Sequence, residues 1–161
     1  MSRPDPVYID AQPNTFQRGL EYQDFVCELL ARHHIVLQNI ASKRFQFEVG
    51  ENLQGWEIKL DRPCTETGRL SIEIAEKSRA AMPNWTPSGI YREDNSWLYI
   101  QGNYELVFLF AVNWLRRYYE QRVAEADVHE AFGTVRKFYL PLDAACVGAI
   151  KFFDLREEPS S

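Results

Sequence analysis

Apolar residues recur every three or four positions between Phe16 and Arg32, and this spacing predicts an amphipathic helix. Asn14 or Thr15 offers an N-cap, and His33 and His34 follow the last apolar position. The apolar side of the helix is formed by Tyr22, Phe25, Val26, Leu29 and Leu30.

Alternating apolar and polar residues predict strands in the next part of the chain, because successive side chains of a strand point to opposite faces. The predicted strands are Ile35–Ile40, Phe45–Val49, Trp56–Leu60 and Leu70–Ala75. A turn at residues 50–52 and a loop at Pro63–Gly68 separate the last three of them.

The second half of the chain mixes strands with one further helix. Gly89–Tyr91 and Ser96–Ile100 read as a hairpin, after an irregular segment at residues 78–88. The apolar run Leu106–Val112 predicts a strand buried on both faces. Asn113–Ala126 has helical spacing, and Thr134–Leu155 reads as two or three short strands or turns.

These elements predict an α+β (α/β) fold, with a mixed β-sheet flanked by helices. The prolines at positions 4, 6 and 13 predict an extended arm over residues 1–13. Residues 14–156 are expected to form a single domain, and residues 157–161 a polar tail. A chain of 161 residues is the length of one ordinary domain.

Charge and cysteine content narrow the function classes. Lys and Arg total 18 against 23 Asp and Glu, and the resulting net charge of -5 argues against a protein that only coats nucleic acid or anionic lipid. The three cysteines have no CxxC spacing, so we expect no zinc site or disulfide framework, and a cytoplasmic location. The longest apolar run is too short for a membrane helix.

The segment from Glu51 to Lys59 carries the most informative chemistry. Glu57 and Lys59 share one face of the predicted strand, roughly 7 Å apart, while Trp56 and Ile58 alternate with them. Glu51 lies in the preceding turn, from which it can fold back toward Glu57. Two carboxylates and the Ile58 carbonyl offer the all-oxygen ligands that Mg²⁺ or Mn²⁺ prefers.

Lys59 would then orient or deprotonate a water, or stabilise charge on a phosphate. Gly55 has no side chain, which leaves room for a phosphate backbone to approach the strand. The simpler interpretation of Glu57 and Lys59 is a solvated ion pair on an exposed strand face.

An acid, five residues and then Glu57-Ile58-Lys59, with Gly55 two residues before Glu57, resembles the motif of the PD-(D/E)XK nuclease superfamily. In the order and spacing of its residues, the motif is most similar to that of the mismatch-repair nicking endonucleases and their restriction-enzyme relatives. The motif departs from the pattern in two ways, since its first acid is Glu rather than Asp and no Pro precedes it. The resemblance spans about residues 16–112, and its specific part is residues 51–59.

The resemblance implies a restriction-endonuclease-like core and a Mg²⁺- or Mn²⁺-dependent endonuclease. Glu51 and Glu57 would be metal ligands and Lys59 the catalytic lysine. Glu21, on the first helix, would complete the site, although a solvent-facing role fits it equally. Glu48 is the alternative first acid.

Glu73, Glu76 and Lys77 repeat the acid–lysine theme on the next predicted strand. If the acids were split between strands, Glu57 or Asp61 would be the first acid and Glu73 the second. Position 75 is Ala, so the lysine two residues beyond Glu73 is missing. We therefore expect at most a supporting role beside the metal for Glu73 and Lys77, with a cross-strand ion pair as the alternative.

Basic side chains near the motif are the candidates for contacts with DNA phosphates. They are Lys43, Arg44, Arg62, Arg69 and Arg79. Residues 41–80 hold seven basic and seven acidic side chains, so no simple basic stripe is present. Trp85 would insert into a groove or, as we favour, fill the edge of the core.

The sequence therefore predicts a metal-dependent DNA endonuclease that hydrolyses phosphodiester bonds. With one site per chain, such an enzyme either nicks or forms a homodimer to cut both strands. The alternatives are a catalytically inactive domain of the same type that binds nucleic acid or protein, and an unrelated α+β protein.

Overall fold

A computed structural model describes residues 6–37 and 55–156 of the chain, with side chains from residue 15 onward. The contacts divide the chain into two compact units, residues 1–41 and residues 42–161. The expectation of a single domain over residues 14–156 stays a prediction.

The first unit contains helix α1, Pro6–Arg32. The predicted helix is confirmed but begins at Pro6, so residues 6–13 are helical and the extended arm is wrong there. Pro6 occupies the first helical position, where an N–H has no partner in the helix to lose. Tyr22, Val26, Leu29 and Leu30 are buried, as their spacing predicted.

No strand forms at residues 35–37, where one was predicted. The remainder of that segment, the strand predicted at Phe45–Val49 and the turn at residues 50–52 lie outside the described residues.

The second unit alternates strands and short helices. In chain order they are β1 (Trp56–Leu60), α2 (Cys64–Thr67), β2 (Arg69–Glu76), β3 (Thr86–Pro87), β4 (Leu98–Gly102), β5 (Leu106–Ala111), α3 (Val112–Arg122), β6 (His129–Ala131), β7 (Val135–Pro141), α4 (Leu142–Gly148) and β8 (Lys151–Asp154). Two 3₁₀ turns lie at Gly89–Tyr91 and Glu125–Asp127.

The strands form two four-stranded sheets. The first sheet has the order β1-β4-β5-β8, with β1 parallel to β4 and the other pairs antiparallel. The second sheet has the order β3-β2-β7-β6 and is antiparallel throughout. The α+β class and a mixed sheet are confirmed, while the second, antiparallel sheet was not anticipated.

One hydrophobic cluster joins the two sheets. It includes Leu70, Ile72, Phe138 and Leu140 of the second sheet, Tyr99, Phe108 and Phe110 of the first, and Leu115 of α3. β5 is buried along almost its whole length. Its unbroken apolar run was therefore a correct sign of a central strand.

The hairpin predicted around residues 89–100 is wrong. Gly89–Tyr91 is a 3₁₀ turn rather than a strand. Gly89 has a φ of +55°, and a Cβ atom there would lie 2.1 Å from the Glu73 carbonyl oxygen. The close approach of this glycine to β2 bends the chain, which local alternation does not reveal. Helix α4 was also missed by the sequence analysis.

Candidate active site

Strand β1 presents Glu57 and Lys59 on one face, as predicted. Trp56 and Ile58 are buried on the opposite face and hold the strand in place. The Lys59 Nζ lies 3.0 Å from Glu57 Oε1, and these side chains are 34% and 15% exposed. The ion pair is thus partly shielded from water, unlike a fully solvated surface pair.

Gly55 opens β1 with a φ of +68° and accepts hydrogen bonds from the backbone N–H groups of Trp97 and Leu98. A Cβ atom at Gly55 would lie 2.5 Å from the Trp97 indole. The positive φ favours glycine at this position, and Trp97, which is 61% exposed, rests on it. This contact gives an intramolecular reason for the glycine.

Tyr99 is the register partner of Glu57 in the parallel pair of β1 and β4, and it is 1% exposed. Burial raises its pKa well above the usual value, and the carboxylates of Glu57, Glu73 and Asp61 raise it further, while Arg92 lowers it. The hydroxyl is therefore held protonated. Carboxylates of both sheets, those of Glu57 and Glu73, thus raise the pKa of one buried hydroxyl.

Asp61 follows β1 and is 7% exposed. Its Oδ2 accepts hydrogen bonds from the backbone N–H of Ser71, at 2.7 Å, and from Gln101 Nε2, at 2.8 Å. Gln101 Nε2 also donates to the Ser71 carbonyl oxygen at 2.8 Å. These bonds tie β1 and β4 to the open edge of β2.

The amide of Gln101 has its orientation fixed, because both partners of Nε2 are acceptors. Its Oε1 is buried and has no hydrogen-bond partner. Gln101 is the register partner of Lys59. An acceptor without a donor therefore lies beside the proposed catalytic lysine, and buried acceptors of this kind normally have partners.

The side chain of Glu73 on β2 is fixed by the residue that precedes the 3₁₀ turn Gly89–Tyr91. Its Oε1 accepts a hydrogen bond from the Ser88 hydroxyl at 2.6 Å, and Ser88 is 1% exposed. The predicted cross-strand ion pair with Lys77 is not formed. The Lys77 ammonium instead donates to the carbonyl oxygens of Ala80 and Met82 and lies 4.4 Å from the Trp85 ring centroid.

The other predicted site residues within the described ranges have the following surroundings. Glu21 is exposed on α1, where its carboxylate accepts a hydrogen bond from Gln17. Arg62 and Arg79 are exposed, and Arg69 lies over the Tyr139 ring. Glu48, Glu51, Lys43 and Arg44 lie outside the described residues, so their roles stay predictions.

The oxygen groups of Glu57 and Ile58 suit a hard divalent cation. Within residues 6–37 and 55–156, no three His, Cys, Asp or Glu side chains are grouped closely enough to hold a metal. Gly55 O and Asp61 N both bond to β4. By alternation along β1, the Ile58 carbonyl points away from β4. Glu57 and this carbonyl are the described oxygen groups of a partial site.

Tyr99, Gln101 and Ser88 were missed by the sequence analysis. Gln101 carried a signal, since it is a lone amide in the apolar run that begins at Leu98. No local sequence signal marked Tyr99 or Ser88, because both interact with carboxylates that are distant in the sequence.

An open groove of about 780 Å³ lies at the end of β2, lined in part by Trp85, Tyr91, Tyr119 and Arg136. Trp85 is half-buried, with the Arg136 guanidinium 4.3 Å from its ring centroid. Its ring lies against Lys77 and Arg136 at the groove, so the role of Trp85 stays a prediction.

The cysteines show no sign of catalytic activation. All three are free, and burial raises the pKa of each, that of Cys64 to about 12. A raised pKa disfavours the thiolate that nucleophilic chemistry requires.

None of the described helices is both long and apolar enough to cross a membrane. Comparison with models of protein families, with curated proteins and with solved structures gives no significant match to this chain.

Proposed function

We propose that this protein is a divalent-metal-dependent DNA endonuclease of the PD-(D/E)XK type. The observation that carries the proposal is the pairing of Glu57 with Lys59 at 3.0 Å on a strand whose other face is buried. The effect of Glu57, Glu73 and Asp61 on the Tyr99 hydroxyl adds acidic groups from both sheets to the same region.

Glu57 and the Ile58 carbonyl would hold Mg²⁺ or Mn²⁺, with Glu51 as the further ligand that the motif implies. Glu73 would support the site from β2. The bound ion supplies polarisation of the phosphate and a lowered pKa for a bound water.

Lys59 would act on the water that attacks phosphorus. In the proposed reaction the water oxygen forms a bond to phosphorus as the bond to the leaving oxygen breaks. The attacking water loses a proton and the leaving oxygen gains one. As a neutral amine, Lys59 would take up the proton from the water; as the ammonium that pairs with Glu57, it would instead stabilise the negative charge of the transition state.

A catalytically inactive domain that binds nucleic acid or protein is the second candidate. The observation that favours it is the net charge of -5.

A plasmid-nicking assay with Mg²⁺ or Mn²⁺ separates the two candidates. We expect wild type to nick supercoiled DNA and Lys59→Ala to lose about 100-fold or more in rate. Lys151→Ala removes the same charge from the exposed strand β8 and is the matched control, expected to nick like wild type. Equal cleavage by wild type and Lys59→Ala would remove the role of the lysine. A wild type that binds DNA but never cleaves it would favour the inactive domain.

A further inference from the structure

Strands β2, β7 and β6 expose one face of the second sheet, which we call the outer face. Leu70, Ile72, Phe138 and Leu140 are buried on the opposite face. By alternation, and by the pairing of β6 with β7, the outer face carries Arg69, Ser71, Glu73, Lys137, Tyr139 and His129.

Basic side chains surround Tyr139 on this face. The Arg69 guanidinium carbon lies 3.6 Å from the centroid of the Tyr139 ring, and the Lys137 ammonium lies 5.4 Å from it. The His129 ring lies 4.7 Å from the same centroid. Because the aromatic ring restrains the flexible side chains packed against it, their charged ends are held in place before any ligand arrives.

The two cations are not neutralised by nearby acids. Within the described part of the chain, neither Arg69 nor Lys137 forms an ion pair with a carboxylate. The register partner of Lys137 is Glu73, but the Glu73 carboxylate accepts the Ser88 hydroxyl instead. The positive charge therefore remains available to an anion from solution.

The position of this cluster is unexpected for a chain with a net charge of -5. The charged ends of Arg69 and Lys137 lie 3.6 and 5.4 Å from the centroid of one ring, so at most about 9 Å separates them. Two cations held this close together can contact neighbouring phosphates of one nucleic-acid backbone. Ser71, the register partner of Tyr139 on this face, donates its backbone N–H to the carboxylate of Asp61, which directly follows β1.

From these observations we infer that the outer face binds the phosphate backbone of DNA and directs it toward the site on β1. Arg69 and Lys137 contact phosphates, and Tyr139 is a positioning residue that keeps Arg69 in place. The inference rests on the proposed function, since it supplies the surface on which that substrate lies.

Binding of a fluorescent DNA duplex, measured by anisotropy in EDTA, tests the inference without catalysis. We expect Arg69→Ala and Lys137→Ala each to weaken binding about 3- to 10-fold and to reduce the slope of log K against log salt by about one. Arg122→Ala and Lys151→Ala are matched controls on exposed positions elsewhere, expected to bind like wild type.

Substitutions of Tyr139 test its positioning role. Tyr139→Phe keeps the ring and should bind like wild type, with an unchanged salt slope. Tyr139→Leu should weaken binding, and Arg69→Ala should weaken it little further in that background. A urea denaturation curve for each variant confirms that the fold is retained.

The inference is overturned if the Arg69 and Lys137 variants keep wild-type affinity and salt slope, if the controls weaken binding equally, or if the duplex does not bind in EDTA. Failure of the proposed function looks different. In that case wild type binds DNA through this face and Lys137→Ala weakens the binding, but no variant cleaves with Mg²⁺ or Mn²⁺.

Discussion

The carboxylate of Asp61 accepts a hydrogen bond from the backbone N–H of Ser71 at 2.7 Å, and this bond joins the end of β1 to the edge of β2. Gln101 completes the junction, since its amide nitrogen donates to the Asp61 carboxylate and to the Ser71 carbonyl oxygen. Asp61 was an alternative first acid in the sequence. Its observed hydrogen bonds give it a part in joining the two sheets.

Removing the Asp61 carboxylate should destabilise the protein. Asp61→Ala leaves the Ser71 N–H without its acceptor and removes one of the two acceptors of the Gln101 amide, which we expect to cost about 1–3 kcal/mol. Asp61→Asn keeps an acceptor oxygen and should cost less. The free energies of unfolding from urea titrations measure the difference, and equal losses in the two variants would contradict the role of the hydrogen bonds.

Divalent metal should stabilise the folded protein if the proposed site is correct. A ligand that binds the folded state raises the melting temperature, so we expect Mn²⁺ to raise that of wild type and to leave Glu57→Gln unchanged. Lys59→Ala should keep the response, because the lysine is not a ligand. The same change at the exposed Glu66 is the control, and a full response in Glu57→Gln would exclude Glu57 as a ligand.

Gly89 should tolerate alanine far less well than Gly68. Both have left-handed backbones, with φ of +55° and +71°, but only at Gly89 would a Cβ atom collide with the chain, at the Glu73 carbonyl. We expect Gly68→Ala to cost about 1 kcal/mol for its backbone conformation. Gly89→Ala should cost about 1–3 kcal/mol more, from overpacking. Similar urea midpoints for the two variants would show that the contact with β2 is not restrictive.

Tyr99 should make the protein sensitive to alkaline pH. Its pKa is raised above the usual 10.0, so the folded state favours the protonated hydroxyl. This stabilisation is complete below the usual pKa and is lost as the pH rises above it toward the folded-state pKa. Tyr99→Phe should therefore lose less stability than wild type between about pH 9 and 11.

The control for that experiment is Tyr104→Phe, which removes a hydroxyl at a position that is 48% exposed. It should follow the pH dependence of wild type in urea titrations. An unchanged alkaline slope in Tyr99→Phe would mean that the buried hydroxyl is not the titrating group.

Several elements could be predicted because their signal is local. The alternation in Trp56–Leu60 placed Glu57 and Lys59 on one face, and the apolar run from Leu106 marked a buried strand. The hairpin at residues 89–100 was predicted wrongly because Gly89 bends against Glu73, a contact across the sheet. Helix α4 was missed between β7 of the second sheet and β8 of the first.

The sequence by itself determined the periodicity of the main helix and strands, the face shared by Glu57 and Lys59, and the α+β class, because each depends on neighbouring residues. Only the tertiary structure decided that Gln101 meets Asp61 from 40 positions away, that Ser88 holds Glu73, and that Arg69 and Lys137 converge on Tyr139. Those contacts depend on how strands pair and how sheets pack, and no local spacing of side chains specifies either.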